Sequence, residues 1–197
     1  MDQLVAELTR DFARARVVRT RRLVARLARD VAPVVVGIRT ATLIDCVILS
    51  RVAATALGTA LKLRQQQQGD DNDHVVVVHE DESGQTLVVN RRLLASRRRD
   101  ATLFVQVGRP ALSASRRPPR SFDSVLDQIA STARDSAFCL VSLPSDSDSD
   151  DPRDSRDLIP VVGYLLDYPI VYTVSSSSST NCLGGIELIL VEADLVV

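Results

Sequence analysis

Residues 158–197 place the tightest restriction on the fold. Three apolar segments rich in Val, Ile, Leu and Tyr follow one another there, separated by Asp167-Tyr168-Pro169 and by a polar stretch from Ser175 to Gly185. Branched and aromatic residues between turn-forming clusters are the mark of strands. The pattern predicts two strands joined at a short turn, then a loop, then a closing strand. All three tyrosines of the chain lie here. A sheet is therefore required, and the rest of the chain must cover it.

A chain of 197 residues suits a single domain carrying surface insertions. Trp is absent and aromatics make up 4% of residues, so the core must be built from Val, Leu, Ile and Ala. No apolar run approaches the roughly 20 residues that span a bilayer. Asp2 follows Met1 and charges run through the first segment, which is not the pattern of a secretory signal. The Arg-rich start suggests a mitochondrial presequence, but Asp2, Glu7 and Asp11 oppose it, because such presequences avoid acids. The expected location is cytoplasmic or nuclear. Cys46 and Cys139 sit inside apolar runs, Cys182 sits in a polar one, and no Cys-x-x-Cys pair occurs, so no disulfide framework is expected.

The net charge of -1 hides an asymmetry: residues 1–120 carry +9 and residues 121–197 carry −10. Such a split can mark a nucleic-acid or acidic-membrane surface. Only one cation, Lys62, is not Arg, which points instead to a coding bias. No nucleic-acid recognition motif accompanies the charge, so nucleic acid is not the expected partner.

From the N-terminus, Leu4, Val5, Leu8, Phe12, Val17, Leu23, Val24, Leu27, Ala28 and Val31 recur at helical spacing. They predict one long helix over residues 2–31, stopped by Pro33. Residues 41–49 predict a central strand covered on both faces, with Asp45 inside it. Residues 51–64 predict a helix, and residues 65–73 a solvated low-complexity loop. His74-Val-Val-Val-Val-His79 predicts a strand, with residues 86–90 returning as a hairpin. The two histidines stand five apart and point to opposite faces, so they do not share a metal. Arg91, Arg92, Arg97, Arg98 and Arg99 make a basic cluster at what is expected to be a solvated edge. Residues 101–107 predict a strand, 109–120 a loop, 121–134 a helix capped by Ser121, and 137–143 a strand. Residues 144–157 are rich in Ser and Asp and poor in apolar groups, as disordered segments are.

Motifs for phosphate loops, dinucleotide folds, zinc sites and serine hydrolases are all missing. No cofactor or metal is expected. The best candidate site pairs the Asp167-Tyr168-Pro169 turn with the Asn181-Cys182-Leu183-Gly184-Gly185 loop. Asp45 and Asp167 are candidate acids. A carboxylate inside an apolar strand or turn is costly unless paired, and that cost shifts its pKa. Cys182 is a candidate nucleophile if His74 or His79 approaches it as a base. Tyr168, Gly184 and Gly185 are candidates for ligand contact, the glycines because backbone can approach a ligand closely there. Arg91 and Arg92 are candidates for holding an anion. For each of these a turn, a loop or a solvated edge is the plainer account.

The segments Gly163-Tyr164-Leu165-Leu166-Asp167-Tyr168-Pro169-Ile170-Val171-Tyr172 and Cys182-Leu183-Gly184-Gly185 resemble the C-terminal part of a small eukaryotic family. That family is typified by a human chromosome 1 open reading frame product. The resemblance covers about the last fifth of the chain, and it implies no activity.

The expected architecture is α/β or α+β: a mixed sheet covered by helices in a single domain. Low-complexity insertions are expected near residues 65–73, 109–120, 144–157 and 175–180. The expected function is that of a non-catalytic module that binds a protein partner. The alternatives are an enzyme using Asp45, Asp167 or Cys182 with a histidine such as His79, and anion binding through the arginines.

Overall fold

The strands β2 (Val75–Glu80) and β3 (Thr86–Asn90) are buried along their whole length. A strand with no polar face needs a layer on each side, and the fold supplies both. The computed structural model describes residues 1–67, 74–81, 83–98, 102–107, 113–115, 118, 120–132, 136–141 and 159–174. Among these residues a mixed α/β fold is formed by six helices and two sheets.

The first sheet has the order β1-β3-β2-β6, with β1 (Ala41–Leu43) and β6 (Phe138–Val141) at its sides. β2 and β3 form the predicted hairpin, in antiparallel register with His79 opposite Thr86. β6 runs parallel to β2, with Val78 opposite Cys139. The second sheet has the order β5-β4-β7, from β5 (Ser113–Ser115), β4 (Leu103–Val107) and β7 (Ile170–Val174). Side chains alternate across a strand, so β2 and β3 feed two cores. Val75, Val77 and Val88 join Leu8, Phe12, Leu27 and Leu57 on one side. Val76, Val78 and Val89 join Phe104, Phe122, Ile129 and Tyr164 on the other.

The first core is closed by α1 (Asp2–Arg14), α2 (Arg21–Val35) and α3 (Arg51–Gln67). The single long helix expected over residues 2–31 is two helices. Arg16 adopts φ 52. Its N–H bonds Ala13 O while the Val17 N–H reaches back to Phe12 O, the paired bonds that terminate a helix. The chain then folds over, and α2 packs on α1. Pro33 lies within the last turn of α2 instead of after it; the stop is Gly37, at φ 75, where Ile38 N–H bonds Pro33 O.

The second core is closed by α5 (Arg120–Ser131) and α6 (Ile159–Leu165), with the second sheet against it. Phe122 meets Phe104 and Tyr164 edge to face, at centroid separations of 5.3 and 4.8 Å. The first of the predicted C-terminal strands is thus a helix. Its buried residues, Pro160, Val161, Tyr164 and Leu165, recur at helical spacing, and a short apolar run does not by itself distinguish the two periods. Three other expectations change. β1 ends at Leu43 and lies at the side of its sheet, because the chain peels away after Ile44 N–H bonds Thr86 O. Gln65 to Gln67 continue α3, with Gln65 buried, where a loop was expected. β5 lies inside the stretch expected to be a connecting loop. The insertions predicted at residues 144–157 and 175–180, and the closing strand beyond them, lie outside the described residues.

Helix α3 crosses the first sheet at Gly58. A Cβ built there would stand 2.5 Å from the Ala137 carbonyl oxygen, and that oxygen accepts the Val77 N–H that starts the β2–β6 pairing. Alanine is the better helix former by about 1 kcal/mol. Gly58→Ala should nevertheless destabilise the protein by about 1–3 kcal/mol, since backbone must move to admit the methyl. Denaturant unfolding checks this, and a midpoint at or above the wild-type value would refute it.

Candidate functional site

The Asp167 turn, the best candidate in the sequence, is a structural joint. Asp167 ends α6 in the left-handed region at φ 66. Its N–H bonds Tyr164 O at 3.0 Å and the Tyr168 N–H bonds Gly163 O at 3.0 Å. Aspartate tolerates this conformation better than most residues, and here the side chain is held from several directions. Thr40 donates its backbone N–H to Oδ2 at 3.3 Å and its hydroxyl to Oδ1 at 3.0 Å. Arg97 Nη1 donates to Oδ1 at 2.7 Å and also to the Tyr164 carbonyl. The Arg97 guanidinium lies 4.1 Å from the centre of the Tyr164 ring, and its Nη2 donates to Thr102 at 3.2 Å. One arginine thus ties the end of α4 (Arg91–Ser96) to α6 and to the start of β4. Tyr168 itself is more than half exposed.

Among the described residues, the other candidates do not join it. His79 is buried; its Nδ1 lies 2.9 Å from Thr86 Oγ1 and its Nε2 3.5 Å from Asp81. Asp45, expected inside a buried strand, sits on the exposed loop after β1, 3.3 Å from Arg26 Nη2. Asp45, His79 and Asp167 therefore bond to three separate sets of partners. Arg91 donates to the Thr132 carbonyl at 2.9 Å, Arg92 and Arg98 are exposed, and Arg91 and Arg92 lie on helix α4 with Arg97 and Arg98 just after it. Cys182, Gly184, Gly185 and Arg99 lie outside the described residues.

Beside Asp45 the fold gathers Asp30 and Cys46. One ligand atom from each lies within 4.8 Å of the others. Burial pushes the Asp30 carboxyl up from its usual range, with Arg26 opposing and Asp45 adding to the rise. Burial also raises the Cys46 thiol, and the Asp30 charge raises it further. The adjacent Asp45-Cys46 pair was visible in the sequence, but Asp30 reaches it only through the packing of α2.

A second feature lies on α3. Its core face carries Ala54, Leu57, Gly58 and Leu61. On the opposite side, Val52, Ala56, Thr59 and Leu63 line up at helical spacing; Val52 is 80% exposed and Leu63 54%. Between the Ala56–Leu63 part of this stripe and α1 runs a groove of about 480 Å³, lined by Ala15, Ala56, Thr59, Ala60 and Leu63 together with Arg14 and Gln67; Val52 lies beyond it. A neighbouring recess reaches Arg10. Arg64, buried under the groove, binds Asp11 at 3.1 Å and Glu7 through a short ion pair. The expectation of an Ala- and Leu-rich helix was correct for α3, but composition did not separate its two faces.

Compared with known proteins, the chain matches no family model, no curated protein and no solved structure.

Asp167→Ala should cost about 2–3 kcal/mol, and Asp167→Asn about 1 kcal/mol, because Asn keeps both the left-handed tolerance and an acceptor. Urea unfolding of the two variants checks the order, and equal losses would refute it. Glu7 has its pKa lowered, first by the hydrogen bond from Arg64 and then by that from Gln3. A depressed carboxyl stabilises the fold above its unfolded pKa, and that contribution is lost as pH falls through the folded value. Glu7→Gln should therefore lose less stability than wild type on acidification below about pH 4.5. Parallel melting curves for the two proteins would show this; curves that fall together would rule it out.

Proposed function

We propose that this is a non-catalytic interaction module whose α1–α3 groove receives an amphipathic helix of a partner protein. The observation that carries the reading is the second apolar stripe on α3, directly opposite its core face. A helix with one buried face ordinarily turns polar residues outward. Val52 and Leu63 instead stand in solvent, and exposed apolar residues grouped in a stripe mark a contact surface. From Val52 to Leu63 the stripe spans about 16 Å, the length of a three-turn helix.

Charge selects the occupant. Arg64 already engages Glu7 and Asp11, so those acids contribute little field at the rim, while Arg10 and Arg14 stand exposed beside the groove. A partner helix with Leu or Ile at helical spacing and Glu or Asp along its flank fits both features. The dispersal of Asp45, His79 and Asp167 supports a role in binding over catalysis, because general acid–base chemistry needs such groups within hydrogen-bond reach of one reacting centre. A resemblance to the chromosome 1 open reading frame family would be compatible with this reading, since it carries no activity of its own.

The test is a labelled three-turn peptide with leucines on one face and glutamates beside them, titrated with the full chain by fluorescence anisotropy. Leu63→Glu and Ala56→Glu should weaken binding at least about tenfold. Ile38→Glu, at another exposed apolar position, should leave it unchanged. Binding that is not saturable, or that all three variants weaken alike, would reject the groove.

A further inference from the structure

We propose that Asp30, Asp45 and Cys46 form a binding site for a divalent cation of the zinc class. Two carboxylates alone would be an ordinary surface feature, and Cys46 alone a half-buried thiol. What is specific is a soft donor and two hard donors brought together from separate segments. Asp30 projects from the third turn of α2, and Asp45 and Cys46 are neighbours in the loop that leads from β1 to α3. Their ligand atoms all lie within 4.8 Å of one another. Zinc binds oxygen at about 2.0 Å and sulfur at about 2.3 Å, so its donors stand roughly 3.3–3.5 Å apart. Closing the set requires side-chain shifts on the order of 1 Å. Asp45, with 65% of its side chain exposed, has room to make them.

The donor set selects the metal. Calcium and magnesium take oxygen ligands in sixfold or higher coordination, and a thiol offers them nothing. Thiolate with carboxylate suits zinc, which needs three protein donors and accepts water as the fourth. Arg26 offers the carboxylates a competing positive charge: it lies 3.3 Å from Asp45 and 3.9 Å from Asp30. Its side chain is 58% exposed, so it can swing into solvent as a cation enters. On binding, the Cys46 thiol gives its proton to solvent and the sulfur donates a lone pair to the metal. No oxidation or reduction takes place. The bound ion fastens the β1–α3 loop to α2.

The experiment uses the full chain, kept reduced. Zinc alone is titrated by calorimetry, and cobalt(II) is added as a spectroscopic probe of sulfur ligation. The expected result is one ion per chain and a thiolate-to-cobalt charge-transfer band. Cys46→Ala should abolish the band, while Cys182→Ala should keep it. Asp45→Asn should weaken zinc at least about tenfold. Arg26→Gln should tighten it several-fold, by removing the competing cation. Asp45 and Arg26 are surface residues, so those two arms remain informative should Cys46→Ala fold poorly. A band that survives Cys46→Ala, zinc affinity unchanged in both Asp45→Asn and Arg26→Gln, or no binding at all would overturn the site.

Discussion

A strand of four valines carries no information about its own register. Val75 to Val78 are interchangeable, and both faces of β2 are buried, so a slip by one residue would exchange one apolar set for another. Alternation of polar and apolar faces, which fixes register in most strands, is missing. The polar ends of the hairpin supply what the valines lack. His79 meets Thr86 at 2.9 Å. Glu80 accepts from the Ser83 N–H and hydroxyl, both at 2.6 Å, around the turn at Gly84. At the other end Asn90 caps α4 through Leu93 N–H and donates to Val34 O at the end of α2. A shift of one residue would strand all of these buried polar groups, each at a cost of about 1–3 kcal/mol. The division into two cores, and hence the layering, rests on that register.

The residues that looked chemical in the sequence also join separate segments of the fold. His79 is buried, Arg97 is half-buried and Asp167 lies at the surface, yet each bonds a specific set of partners. Such groups resemble active-site residues in a sequence because both kinds interrupt apolar runs. They differ in what they face, and only the folded chain reveals that.

Legibility in the sequence followed the length and periodicity of the signal. The hairpin of residues 75–90, β4 and α5 were readable because each shows a sustained period or a clear turn, and helix α3 because it is rich in Ala and Leu. The apolar run at 159–165 was not, being too short to separate a period of two from one of 3.6. The break at Arg16 was also invisible, since a left-handed arginine has no compositional mark. Asp45 was misplaced because a strand of three residues was read as nine. The resemblance at 163–172 concerned residues that prove to hold the α6–β7 corner, where Gly163 packs so closely on Val171 that a Cβ would stand 2.9 Å away. The groove and the Asp30–Asp45–Cys46 cluster depend on which helix faces lie together, which one-dimensional patterns do not encode.

The joint between Thr40 and Asp167 links positions 127 apart in sequence. The buried members of the first core all lie at or before Val88, whereas the second draws on residues as late as Val171. During synthesis from the N-terminus, the chain can therefore assemble one side of its central sheet long before the other side has emerged from the ribosome. For that interval Val76, Val78 and Val89 face water, and the nascent chain presents a sticky half-finished surface. That surface is covered in stages, as Phe104, then Phe122 and Ile129, then Tyr164 and Val171 join the second core.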